Sequence, residues 1–128
     1  MLETGIKGHR TETVVGGNTA LAMGSGTLPV FATPAMIALI EATASGSVAP
    51  FLEEGRSTVG THLDIAHSSA SPVGMEVSCD TELVEIDRRR LVFRVTVSDT
   101  AGEIGSGTHE RFIVDNAKFM GKAEAKLQ

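Results

Sequence analysis

Residues 30–46, VFATPAMIALIEATASG, constrain the fold more than any other stretch. Ala, Met, Ile and Leu fall on every side of what reads as one helix, and such a helix is wrapped by other structure instead of lying on a surface. Pro34 suits the first helical position, where its missing N–H costs nothing, which makes Thr33 the expected N-cap. The helix should then run until Gly46, Pro50 and Gly55 successively weaken it. One glutamate, Glu41, interrupts the apolar run. It lies eight residues after Thr33, roughly 12 Å along the axis and about 80° around it. An unpaired buried carboxylate is costly. Glu41 therefore either reaches water past Ala38, Ala42 and Ser45, or the fold needs it where it is.

The remaining chain reads as strands. Residues 9–15 (HRTETVV) alternate weakly. Residues 57–70, 74–87, 91–99 and 103–115 carry β-branched residues and end at turn signals such as Ser-Pro, RRR and TAG. The last four strands have short connections and should be antiparallel neighbours. Residues 16–29, GGNTALAMGSGTLP, hold four glycines and the apolar Leu21, Met23 and Leu28. This is a loop by composition, and at such length a loop is often a functional lid. NAKFMGKAEAKLQ fits a short terminal helix. The economical packing is α+β: one domain over residues 1–128, with an antiparallel sheet of about five strands wrapped around a long central helix.

Several function classes fall away on composition. The net charge is −5, and there is no Trp or Tyr, so neither a general attraction to nucleic acid nor a base-stacking platform is expected. Cys79 is the only cysteine. It cannot form an internal disulfide, and no Cys/His spacing suggests zinc or another metal. No apolar run approaches the ~20 residues needed to cross a bilayer. The N-terminal MLETGIKGHR does not read as a secretory signal. A cytoplasmic protein without nucleic-acid or membrane partners is expected.

Three segments carry candidate chemistry. In TVGTHLDIAHSSASP, strict alternation places Val59, Thr61, Leu63, Ile65 and His67 on one face. That puts His67 on the apolar face that should look at the helix, where an imidazole can act as acid or base. A core histidine satisfied by a backbone carbonyl is the plainer alternative, but beside a buried carboxylate each group would explain the other. Thr33 offers a hydroxyl that could cap the helix, position water or attack an acyl carbon. GEIGSGTHERFIV carries glycines of the kind that mark a close backbone or ligand approach. Its Arg111 can hold a carboxylate or phosphate, whereas His109 and Glu110 read equally as surface groups. Arg88, Arg89 and Arg90 read as a solvated turn, with a nucleotide-phosphate contact as the alternative.

Together VFATPAMIALIEATA, GTHLDIAHSSASPVGMEV and EIGSGTHERFIV resemble the fluoroacetyl-CoA thioesterase family of hotdog-fold enzymes. The similarity runs from about Val30 to Phe119. It implies a hotdog fold, a homodimer with active sites at the subunit interface, and cleavage of a CoA thioester by Thr, Glu and His. The Thr matches Thr33 in FAT, the Glu matches Glu41 in LIEA, and the His matches His67 in IAHS. Gly60 in VGTH corresponds to a glycine near the thioester carbonyl, and Arg111 of HER to an arginine lining the site. Phe31, directly before Ala32 and Thr33, is the first aromatic residue and a substrate-binding candidate. The phenylalanines that help select a fluorinated acyl group have no counterpart in NTALAMGSGTLP. The resemblance thus implies thioester hydrolysis and leaves fluoroacyl selectivity open.

The resulting expectation is an acyl-CoA thioesterase for a small acyl group. It needs no cofactor, because CoA is part of the substrate, and the Gly60 N–H is a candidate oxyanion donor. A non-catalytic acyl-CoA-binding hotdog protein, acting as sensor or scavenger, is the second reading. An enoyl-CoA hydratase ranks last, since no Asp/His pair sits on a separate loop.

Overall fold

The computed structural model describes all 128 residues. Five strands build one sheet: β1 (Lys7–Thr13), β2 (Arg56–His67), β3 (Glu76–Asp87), β4 (Arg90–Asp99) and β5 (Gly102–Asp115). Their order is β1-β3-β4-β5-β2, and every pairing is antiparallel. Three helices accompany them: the one-turn α1 (Ala20–Met23), the central α2 (Thr33–Val48) and the C-terminal α3 (Asn116–Glu124). No helix is long and apolar enough to cross a membrane.

The core follows from alternation. Val77, Cys79, Thr81 and Leu83 of β3, and Leu91, Phe93, Val95 and Val97 of β4, are all buried. With the period of two this is one face of the sheet. All but Thr81 pack with Ala35, Met36, Leu39, Ile40, Ala44 and Val48 of α2 in one apolar cluster. Burial pushes the Cys79 thiol up to about 11, so it is a protonated core group.

Four sequence expectations are corrected. First, β2 and β3 are consecutive in the chain but not adjacent, because β4 and β5 lie between them. The SSASP connection spans the sheet instead of turning a hairpin. Second, the supposed structureless lid contains a 3-10 turn at Gly16–Asn18 followed by α1, capped by the Thr19 side chain and ended by Gly24 at φ 73°. Leu21, Met23 and Leu28 do stay exposed.

Third, the register of β2 shifts between Gly60 and His62. A β-bulge inserts one residue and inverts the alternation before it. Leu63, Ile65 and His67 pair with His109, Gly107 and Gly105 on the helix-facing side, as alternation predicts. Val59 and Thr61 instead line the outer face with Phe112, Val114 and Phe119. The bulge brings the buried Thr58 and Gly60 inward in their place.

Fourth, α2 is apolar all round but covered on one side only. Pro34 and Ala38 are exposed, and Glu41, Ala42 and Ser45 are partly exposed. Glu41 is therefore not buried in the single chain.

The glycines of β5 do mark close approach. Gly107 adopts φ 151°, and a Cβ there would overlap the Asp64 carbonyl. At Gly105 a Cβ would stand 2.7 Å from the Ala66 carbonyl and 3.1 Å from the Met36 sulfur. Both let β5 lie tightly against β2, and Gly105 also admits the helix.

Candidate active site

The helix start and the end of β2 meet because the chain straps them together. The Phe31 N–H donates to Ser71 O at 2.8 Å, and the N–H groups of Ser68 and Ser69 donate to Ile104 O. The buried Ser71 also donates its hydroxyl to Asp99 at 2.8 Å. This bond, more than any other contact, holds the Asp99 carboxyl below its usual range. The SSASP connection is thereby fixed to the sheet and to the residues before α2. On the other side, the Ala32 N–H donates to Asn18 O at 3.0 Å, which ties the lid to the same point.

Thr33 sits at this junction, and its role differs from the expected cap. Ala32 is the N-cap and Thr33 already lies within the helix, with no side-chain cap bond. Released from capping, its hydroxyl lies 2.8 Å from His67 Nδ1. His67 Nε2 is enclosed and has no partner. Burial pushes the His67 pKa down, offset in part by the Ser69 backbone, so the ring is neutral near pH 7. A hydroxyl within hydrogen-bond reach of a neutral imidazole can be deprotonated by it. An open cavity of about 240 Å³ adjoins the pair, lined also by Ala20, Ser25, Phe31 and Ser68. Phe31 is a core side chain, 1% exposed, and forms part of the cavity wall.

A second cluster lies two turns along α2. Glu41 is half-exposed and forms an ion pair with Arg111 Nη1 at 3.3 Å. The expected Glu41–His67 partnership is thus replaced by two separate pairs, Glu41 with Arg111 and His67 with Thr33. No cavity of the single chain is lined by both Thr33 and Glu41. The carboxylate rests directly on Gly60, where any Cβ would collide with Glu41 Oε2. A larger residue at position 60 would thus force the half-exposed Glu41 side chain to move from this position.

Arg111 is 6% exposed and well bracketed. Its Nε donates to Thr58 Oγ1 at 2.8 Å and its Nη2 to Thr58 O at 2.9 Å. Desolvation lowers its pKa, while Glu41 opposes the shift. His109 Nε2 lies 3.1 Å from Arg111 Nη1. His109 is fully buried, which corrects the reading of it as a surface group. Thr58 and His109 are thus site residues that the sequence reading missed. Parity would have found His109, since it stands two residues from Arg111 on the same strand. Thr58 shares the inward phase of Gly60, but the bulge hides that phase from an unbroken alternation. Glu110 faces elsewhere and binds Arg90, which also pairs with Glu85. Arg88 forms the turn at φ 58°.

Comparison with known proteins identifies the family. The sequence profile of the fluoroacetyl-CoA-specific thioesterase FlK matches residues 14–117. The chain is 41% identical over 97 residues to the fluoroacetyl-CoA thioesterase of Streptantibioticus cattleyicolor, covering 76% of this chain and 70% of that protein. A crystal structure of FlK superposes with a TM-score of 0.93 at 33% identity, over 98% of both chains. A Thr-to-Ser variant of FlK in complex with acetyl-CoA gives 0.94 at 32% identity, over 99% of this chain and 100% of that one. A hot-dog-like protein from Thermanaerovibrio acidaminovorans shares the fold at 16% identity and a TM-score of 0.90, over 99% and 94% of the two chains. With a profile spanning most of its length and a relative at this identity, the chain belongs to the fluoroacetyl-CoA-specific thioesterase family.

Proposed function

We propose that the protein is an acyl-CoA thioesterase that hydrolyses a small acyl-CoA to the free acid and CoA, with Thr33, Glu41 and His67 as its reacting groups. The observation that carries the residue roles is the 2.8 Å contact between the Thr33 hydroxyl and His67 Nδ1. A threonine at a helix start has an obvious structural use as a cap, and here that use is absent. His67 moves a proton to or from the Thr33 oxygen or a water beside it. Glu41, fixed by Arg111, supplies the carboxylate that attacks or activates water. The Gly60 N–H is the oxyanion donor in this reading.

We further propose that the working unit is a homodimer. Gly60–Asp64 of β2 is exposed throughout, and β2 is an unpaired sheet edge. A long open edge is a template for pairing with another strand. The uncovered stripe of α2, Pro34–Ala38–Glu41–Ser45, would be closed by the same partner, and one cleft would then cover both clusters. Substrate selectivity follows the lid. It holds Leu21, Met23 and Leu28 but no phenylalanine, so acetyl-CoA and fluoroacetyl-CoA should be processed with similar kcat/KM.

The test is thiol release from a panel of short acyl-CoA esters, with sedimentation to establish the assembly. Turnover of at least one ester by a dimer is expected. Binding of the esters by calorimetry without any hydrolysis would replace catalysis with a sensor or scavenger role.

A further inference from the structure

The thioesterase reading leaves one buried group unused. His109 is 0% exposed, yet burying an imidazole without purpose is costly. Its Nδ1 lies 2.9 Å from the His62 carbonyl oxygen. A carbonyl only accepts, so Nδ1 carries the proton. Its Nε2 lies 3.1 Å from Arg111 Nη1. A guanidinium only donates, so Nε2 is bare. These partners select one neutral tautomer. The ring is further fixed against Phe93, with centroids 6.3 Å apart.

Resting on the proposed activity, we propose that His109 is a positioning residue: a neutral Nδ1–H imidazole that holds Arg111, and through it the Glu41 carboxylate, in place over Gly60. Arg111 Nη1 has two N–H bonds. One goes to His109 Nε2 and the other to Glu41 Oε2. Thr58 takes Nε and Nη2. The guanidinium plane is therefore pinned on three sides, and its remaining Nη1–H has one direction to point. The carbonyl that orients His109 belongs to His62, the residue just after the β2 bulge. The bulge, the imidazole and the arginine form one line from the sheet edge to the carboxylate. Without His109, Arg111 keeps both Thr58 bonds, but its rigid plane can tilt about that fork and carry Nη1 away from Glu41.

Two measurements test this. In ¹⁵N-labelled protein at pH 7, the ring nitrogens of His109 should show a protonated Nδ1 and a bare Nε2. An Nε2–H tautomer or an imidazolium overturns the proposal, whatever the protein hydrolyses. In kinetics, His109→Leu should lower kcat about tenfold to a hundredfold, the scale of a displaced reacting group, with KM within about twofold. His109→Gln, whose side-chain oxygen can accept from Arg111, should recover most of the loss and keeps the test usable if the leucine variant does not fold. A folded leucine variant with unchanged kcat, or a glutamine variant as impaired as the leucine one, overturns it. If no acyl-CoA is hydrolysed, the thioesterase reading falls, while a crystal structure of His109→Leu still decides the positioning. Arg111 displaced from Glu41 supports it, and Arg111 unmoved refutes it.

Discussion

The two ends of the candidate site, both served by one helix, differ in how completely their polar groups are bonded. At the start of α2, Thr33 meets His67, and the far imidazole nitrogen is left without a partner. Two turns on, Arg111 spreads its donors over Thr58, His109 and Glu41. A group that must exchange a proton benefits from a vacant valence. A group that must hold a charge still benefits from saturation. The first pair is suited to moving a proton, and in the second the saturated Arg111 is suited to holding the Glu41 carboxylate in one position.

That contrast can be broken in several ways. The largest effect is expected from the proposed reacting groups: Glu41→Gln and His67→Ala should each lower kcat by at least about a hundredfold, within the range for acid–base groups, with circular dichroism unchanged. Normal rates in both would remove them from the chemistry. Thr33 sharpens the contrast at the start of α2. Thr33→Ser keeps the hydroxyl and should retain most activity, while Thr33→Ala should lose it without lowering the melting temperature, because no cap is lost. A clear fall in stability would return Thr33 to a structural role.

At the fixed end, Gly60→Ala should cost on the order of a hundredfold in kcat, because the methyl group takes the place of the Glu41 carboxylate and small misplacements are expensive. Steady-state kinetics on the folded variant decide this. Arg111→Lys cannot reproduce the fork. It should leave Thr58 and His109 unsatisfied at a cost of roughly 1–3 kcal/mol in stability, read from a denaturation midpoint. The smallest effect is with pH. Burial lowers the pKa of both His67 and His109, so below about 6.5 the unfolded chain takes up protons that the native state refuses. Stability should decline as pH falls through that value and be fully present above it. A flat profile between pH 7.5 and 5.5 would mean that neither ring is held neutral.

Much of the architecture could be read from the chain because its signals are local. The apolar circumference of residues 35–48 and the alternation of β3 and β4 each dictate an element within a few residues. What escaped was non-local. The separation of β2 from β3 depends on where SSASP is anchored, and those anchors, Phe31 and Asp99, lie far away in sequence. Thr33 looked like a cap because Pro34 follows it, and nothing nearby announces His67, thirty-four residues on. Glu41 stands out in the sequence as an anomaly, but its partner in the fold is Arg111 and not His67. A charge in an apolar run shows that something must compensate, not which of several groups does. His109 was passed over because in THER it stands among charged neighbours, and only the parity of Arg111 separates inward from outward.

The irregularity in β2 also bears on how this family can change length. Deleting one residue around Thr61 would restore an unbroken pleat. With Thr58 and Gly60 kept inward, Leu63, Ile65 and His67 would stay inward too, because the extra residue is what offsets the two phases. The imidazole therefore keeps its place when the bulge residue is lost, whereas one residue gained or lost in the regular stretch between Leu63 and His67 would turn it outward. A change of strand length by one residue is thus best absorbed at the bulge itself and not beyond Leu63.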